Sequence, residues 1–304
     1  MHLLIPFAFC ASEGCDSVLP TLPLPTLQKL LTRLTPEPLD AGDEYSLSTP
    51  HERALARSLG IRTLDGCIPL AALQACKSGA WAFVTPCHWL VGANHIDMSG
   101  QALQDFTPQE SQSVLEAMQP YFAEDGITLH YDQPDRWLAC GDIFHGLPTA
   151  SLDRVVGRNV DNWMPRAPAA AKLRRLQNEM QMLLYHHPVN DARMARGVLP
   201  INSFWLSGTG ALPDAALQPP PIVASGLREA ALNEDWAAWA LAWTALDATQ
   251  CAALLEALEH GEPCQLTLCG ERHAQTFTAH PQSLLKRFMN LFGTPPPSDL
   301  LKQL

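Results

Sequence analysis

Asn178–Gly210, NEMQMLLYHHPVNDARMARGVLPINSFWLSGTG, is the stretch around which the rest of the chain is read. Leu173, Leu176, Met180, Leu183 and Leu184 recur at helical spacing and predict a helix over Pro168–His187. His187-Pro188 reads as the end of that helix, succeeded by a polar loop that carries Arg193 and Arg196. Ile201–Leu206 is then an apolar strand running into Gly208-Thr-Gly210. Helix, polar loop, strand is the alternation of an α/β protein, and such loops are where α/β proteins place ligand contacts.

The chemistry of the segment points to an anion. Arg193 and Arg196 offer planar forks for phosphate or carboxylate. Asn190 and Asn202 supply directional hydrogen bonds, and Gly208 and Gly210 permit close backbone approach. His187 completes the candidate set, which assigns no catalytic residue and no metal ligand. The competing reading is a structural corner: His187 caps a helix end, Asn190 makes a local turn, and the arginines bridge carboxylates.

Outward from this segment, strands and helices interleave. His2–Phe9 reads as a buried strand, and Leu27–Leu34 and His51–Leu59 as helices. Trp81–Val84, Trp89–Val91 and His95–Met98 read as a hairpin-like layer. Thr107-Pro-Gln-Glu110 carries Thr at the cap, Pro at the first helical position and Glu closing a capping box. Ile127–Tyr131 and Arg136–Cys140 are strands, Trp236–Leu246 and Gln250–Glu259 helices, Gln265–Cys269 a strand and Gln282–Phe292 a closing helix. The fold class is therefore α/β, a mixed sheet flanked by helices. The Pro-rich run Leu217–Pro221 suggests a division into 1–216 and 222–304 packed on the same core.

The chain has 304 residues, 47% of them hydrophobic and 17% charged, and a net charge of −11. That acidity excludes a nucleic-acid partner, which demands a basic footprint. No apolar run approaches a membrane span, and Met1–Phe9 lacks the cationic start of a signal peptide. Nine cysteines without a C-x-x-C pair fit the reducing cytoplasm, the expected location. His88 and His95 with Cys87 and Asp97 match no zinc spacing. Trp236, Trp239 and Trp243 form an i, i+3, i+7 stripe that reads as core, with a partner surface as the competing reading.

His187-Pro-x-Asn190-x-x-Arg193-x-x-Arg196-Gly197, followed by Asn202 and Gly208-x-Gly210, resembles a stretch of the archaeal-type, cofactor-independent phosphoglycerate mutases. Those are metal-dependent members of the alkaline phosphatase superfamily. Over a longer span the sequence is similar to a bacterial family labelled phosphoglycerate mutase, or regulatory protein of the RpfE type. The matching pieces are Thr85-Pro-Cys-His88, the helix after Thr107, Asp135-Arg-Trp137, Gly157-Arg158-Asn, Asn178-Glu-Met-Gln-Met182 and Leu266-Thr-Leu-Cys-Gly-Glu-Arg272.

The resemblance implies a reduced alkaline-phosphatase-like architecture. It also implies a first strand leading to an Asp-Gly metal site, a serine nucleophile and downstream Asp-His motifs for two metals. Here the first strand runs into Phe7-Ala-Phe9-Cys10, and the chain has no Asp-His pair. The expectation is therefore a non-catalytic or altered relative, possessing no cofactor, that binds a phosphorylated or carboxylated small ligand and acts in regulation. The first alternative is an active phosphoglycerate mutase-like isomerase or phosphotransferase requiring Mn, Zn or Mg. The second is an interaction protein using the Trp236–Trp243 helix. Oligomeric state is not readable from the sequence.

Overall fold

A computed structural model describes residues 1–100, 103–166, 170–279 and 296–304, so the closing helix expected over 282–292 lies outside the described residues. In chain order the strands are β1 (His2–Ile5), β2 (Thr35–Pro36), β3 (Ala80–Cys87), β4 (Trp89–Val91), β5 (Ile96–Met98) and β6 (Thr128–Gln133). They continue with β7 (Arg136–Cys140), β8 (Ser203–Ala211), β9 (Ile222–Val223), β10 (Gln265–Cys269) and β11 (Ala274–Thr278). Helices flank the sheets, so the class is α/β with mixed pairing. Among the described residues no helix is long and apolar enough to cross a membrane.

Two compact units emerge, one of residues 1–62 with 217–304 and one of residues 63–216. A single cut at Leu217–Pro221 describes only one of the two crossings. The reason is β1, which lies between β10 and β9 and runs parallel to both. Its hydrogen-bond partners all come from beyond residue 217, so the N-terminal segment and the C-terminal segment share one core.

In the first unit the sheet order is β2-β11-β10-β1-β9. The apolar run Leu3-Leu4-Ile5 suits a strand covered on both faces. Leu3 and Ile5 join a core with Leu27, Leu30, Trp239, Trp243 and Leu254, while Leu4 packs on the other face with Ala54 of the Pro50–Ser58 helix. The tryptophan helix forms over Trp236–Leu246, as its spacing predicts, with Asp235 as its cap. Trp239 and Trp243 are both 0% exposed, and neighbouring rings of the stripe meet edge-on at 6.1 and 6.2 Å. Trp236 is half-buried against Gly14, where a Cβ would fall 2.3 Å from the indole ring.

A π-turn at Asp247–Cys251 carries the chain from this helix into the Ala252–Glu259 helix. It turns the buried Asp247 carboxylate onto the N–H groups of Leu27, at 2.7 Å, and Thr26, at 3.1 Å. The Pro25–Arg33 helix begins at Leu24, which has no side-chain cap of its own. Asp247 thus supplies from a distance the acceptor that a helix N-terminus requires.

The second unit is built on an antiparallel sheet, β6-β7-β3-β8. The Pro108–Glu124 and Ala170–Tyr185 helices close one face, where Met118, Phe122, Trp137, Leu176, Met180 and Phe204 interlock. The capping box at Thr107 and Glu110 is present in both directions. β8 is longer than the expected 201–206 strand because it continues through both glycines. Gly208 and Gly210 have φ of +62° and +139°, and the register against β3 slips between Trp81 and Phe83. They form a β-bulge, the conformation for which positive φ is required.

Candidate functional site

The 178–210 segment holds one more helix than its sequence reading. His187-Pro188 does not merely end the preceding helix; it starts another, Pro188–Ala195. His187 is the N-cap, its Nδ1 accepting from the Val189 N–H at 3.3 Å, and proline occupies the first helical position. The signals were in the sequence: Pro188 at the start, acidic Asp191 in the first turn and basic Arg193 in the last.

Asn190 is buried and fully engaged. Its Nδ2 donates to the carbonyls of Leu184 at 2.7 Å and Ile201 at 2.6 Å, and its Oδ1 accepts from the Ile201 N–H at 2.8 Å. It therefore ties the last turn of one helix to the entry of β8. Asn202 pairs its amide with β4, accepting from Trp89 N–H at 2.6 Å and donating to Trp89 C=O at 2.8 Å.

The arginines converge on one carboxylate. Arg193 is 0% exposed and places Nε on Leu199 C=O at 2.9 Å, Nη2 on Gln104 C=O at 2.9 Å and Nη1 on Glu110 Oε2 at 3.3 Å. Its guanidinium also lies over the Phe106 ring, 5.4 Å from the centroid. Arg196 reaches Glu110 Oε1 at 2.5 Å with a side chain still 45% exposed. Glu110 Oε2 also accepts the Thr107 N–H at 3.1 Å. Burial pulls the Arg193 guanidinium below its ordinary pKa, and Glu110 opposes that shift.

Of the seven candidate residues, the structure thus gathers His187, Asn190, Arg193 and Arg196 on one short helix. Asn202 stands at the β8 entry. Gly208 and Gly210 lie further along the strand, packed beneath Phe83 and Pro69. Glu110, the residue that joins the arginines, was legible only as a cap. The other polar cluster is dispersed: His88 Nδ1 meets Pro200 C=O at 2.8 Å, His95 pairs with Asp97 at 3.4 Å, and Cys87 is buried.

His187 makes a prediction in pH. Burial lowers its pKa from the usual 6.5, with Asp191 opposing, and its capping nitrogen accepts only when unprotonated. The contribution is whole above 6.5 and is lost as pH falls from there toward the folded-state value. Urea titrations between pH 7 and 5 should show this part of the acid loss disappear in His187→Asn, which keeps a cap. An unchanged pH slope in that variant refutes the assignment.

In α/β sheets, ligands gather beyond the carboxyl ends of parallel strands. Beyond β1 stands Phe7, in the left-handed region at φ +55°. Its ring rests on His51 at 5.3 Å, and its carbonyl accepts from Trp239 Nε1 at 3.0 Å. A bulky residue at positive φ is uncommon and is held there by its surroundings. His51 in turn meets Thr49 Oγ1 at 3.1 Å. Apolar side chains at this strand end do not fit a two-metal centre, which needs several carboxylates and imidazoles. Among the described residues no group of three or more His, Cys, Asp or Glu is placed to hold a metal ion.

No family model matches the chain. A probable 2,3-bisphosphoglycerate-independent phosphoglycerate mutase of Geobacter sulfurreducens is 34% identical over 71 residues. The match spans 23% of this chain and 18% of that relative's length. Among solved structures, the PH0037 protein from Pyrococcus horikoshii superposes with a TM-score of 0.50 at 12% identity, over 99% of this chain and 95% of that one. Its likeness is one of fold. The cofactor-independent phosphoglycerate mutase from Thermoplasma acidophilum gives a TM-score of 0.37 at 12% identity, over 100% and 98%.

Proposed function

We propose that this chain is an altered relative of the cofactor-independent phosphoglycerate mutases that binds a small phosphorylated or carboxylated ligand without turning it over, and acts in regulation in the cytoplasm. The observation that carries the reading is the shared engagement of Glu110 by Arg193 and Arg196. Arg193 has each of its three nitrogens committed inside the fold, so it serves as scaffold. Arg196, half-exposed, is the arginine that can exchange Glu110 for an incoming anion. Such an exchange loosens a carboxylate that also caps the Pro108–Glu124 helix, which couples occupancy to a helix end.

An active mutase is the weaker reading because the β1 end offers Phe7 where metal donors are needed. Burial of Trp239 and Trp243 in the core favours the proposed reading over an interaction protein using the Trp236–Trp243 helix.

The test uses 3-phosphoglycerate as probe, in low salt. Calorimetric titration should show saturable binding that weakens at least about tenfold in Arg196→Ala, roughly 1.4 kcal/mol. Interconversion of 2- and 3-phosphoglycerate with Mn²⁺ or Mg²⁺ should stay at background. Binding that ignores Arg196 overturns the assigned anion contact. Chelator-sensitive turnover promotes the enzyme reading.

A further inference from the structure

β6 forms one edge of the four-stranded sheet in the 63–216 unit. The Gln119 side chain stands where a further strand would begin. Its Oε1 accepts from Leu129 N–H at 2.7 Å and its Nε2 donates to Ile127 C=O at 3.2 Å. Leu129 therefore turns its peptide groups away from β7. By the alternation of an antiparallel ladder Tyr131 does the same, and Gln119 is already spent on Leu129. Leu129 and Tyr131 pack toward the core of the unit, so His130 and Asp132 share the opposite face. Both are held in place there. The exposed His130 ring leans on Trp81, with centroids 5.5 Å apart. Arg136 takes Asp132 Oδ2 with Nε at 2.9 Å and Nη2 at 2.7 Å, which leaves Oδ1 without a partner among the described residues.

We propose that β6 pairs antiparallel with β6 of a second copy of this chain, about a two-fold axis at Tyr131. The two Tyr131 residues then exchange N–H···O=C bonds across the axis. His130 stands opposite the partner's Asp132, in the kind of pair whose side chains approach most closely. Its imidazole N–H donates to the carboxylate oxygen that Arg136 leaves open, and the two-fold axis makes the same contact twice. Complementarity selects this register. Moving the axis to His130 would set imidazole against imidazole and would call on the Leu129 N–H that Gln119 holds.

Other strand edges lack this arrangement. β2 and β9, which end the sheet of the other unit, have two residues each, the short edge that discourages pairing. β8, at the far edge of the same sheet, is largely buried along its length. The pairing of β6 with β7 shifts register between Tyr131 and Gln133, which ends the straight part of the edge there. The contact is therefore short, and the association weak and reversible.

The full chain should be followed by sedimentation over a concentration series at physiological salt, which screens the repulsion between two acidic copies. Its mass should climb from one chain toward two. His130→Asp, which sets carboxylate against carboxylate, should weaken the association at least about tenfold. Combining it with Asp132→His rebuilds the pair in reverse and should recover much of the loss, which a merely local role for either residue would not do. Hydrogen exchange on the wild-type chain reads the edge directly: the Tyr131 amide should slow as concentration rises. If the double variant does not fold, that exchange decides. A wild-type chain that stays single at every concentration, an association that ignores His130→Asp, or a Tyr131 amide that ignores concentration overturns the proposal.

Discussion

Glu110→Ala should destabilise the 63–216 unit by roughly 3–5 kcal/mol, because it leaves the Arg193 charge buried without its counter-ion. Arg193 is wholly enclosed, and its other hydrogen bonds go to neutral carbonyls of Leu199 and Gln104. The same substitution removes half of the capping box at Thr107, a loss of about 1 kcal/mol by itself. Glu110→Gln keeps an acceptor for the cap and one arginine, so its loss should be visibly smaller. Urea denaturation followed by circular dichroism reads both. A loss below about 1 kcal/mol in Glu110→Ala would mean that the clasp holds nothing.

Trp239→Ala should cost the other unit a similar amount, roughly 3–5 kcal/mol, as truncation of a fully buried tryptophan leaves a cavity. The ring is enclosed between Trp236 and Trp243, and its N–H is spent on Phe7 C=O. Trp239→Phe should retain much of the packing while leaving that carbonyl without its donor. Leu241, on the same helix but 73% exposed, is the control: Leu241→Ala should stay within about 0.5 kcal/mol. Equal effects at 239 and 241, measured in the same denaturation series, would refute the core assignment and revive a partner surface.

Local signals carried much of the fold. The Thr107–Glu110 box, the tryptophan spacing and the short strands around Asp132–Asp135 all describe interactions within a few residues, and they appear at their expected positions. The helix at Pro188–Ala195 is only eight residues long and starts directly after the preceding helix ends, so His187-Pro188 serves as a stop and a start at once. The glycines after Leu206 suggested a ligand loop, but bulge formation opposite Phe83 depends on a strand far away in sequence. Glu110 is the clearest limit. Its partners lie 83 and 86 residues downstream, and a capping glutamate looks the same whether or not an arginine later reaches it.

The placement of β1 sets the order in which the polypeptide can assemble as it leaves the ribosome. His2 meets Thr267 across a separation of 265 positions, so β1 waits for a strand made long after it. The 63–216 stretch, by contrast, holds all the strands of its own sheet and can complete itself while its host is still half made. The host keeps the chain on either side of that insertion together, with Gln218 N–H on Leu59 C=O at 3.1 Å. Until residues 222–269 are available, the apolar strand Leu3-Leu4-Ile5 has no sheet to enter and stays open to aggregation.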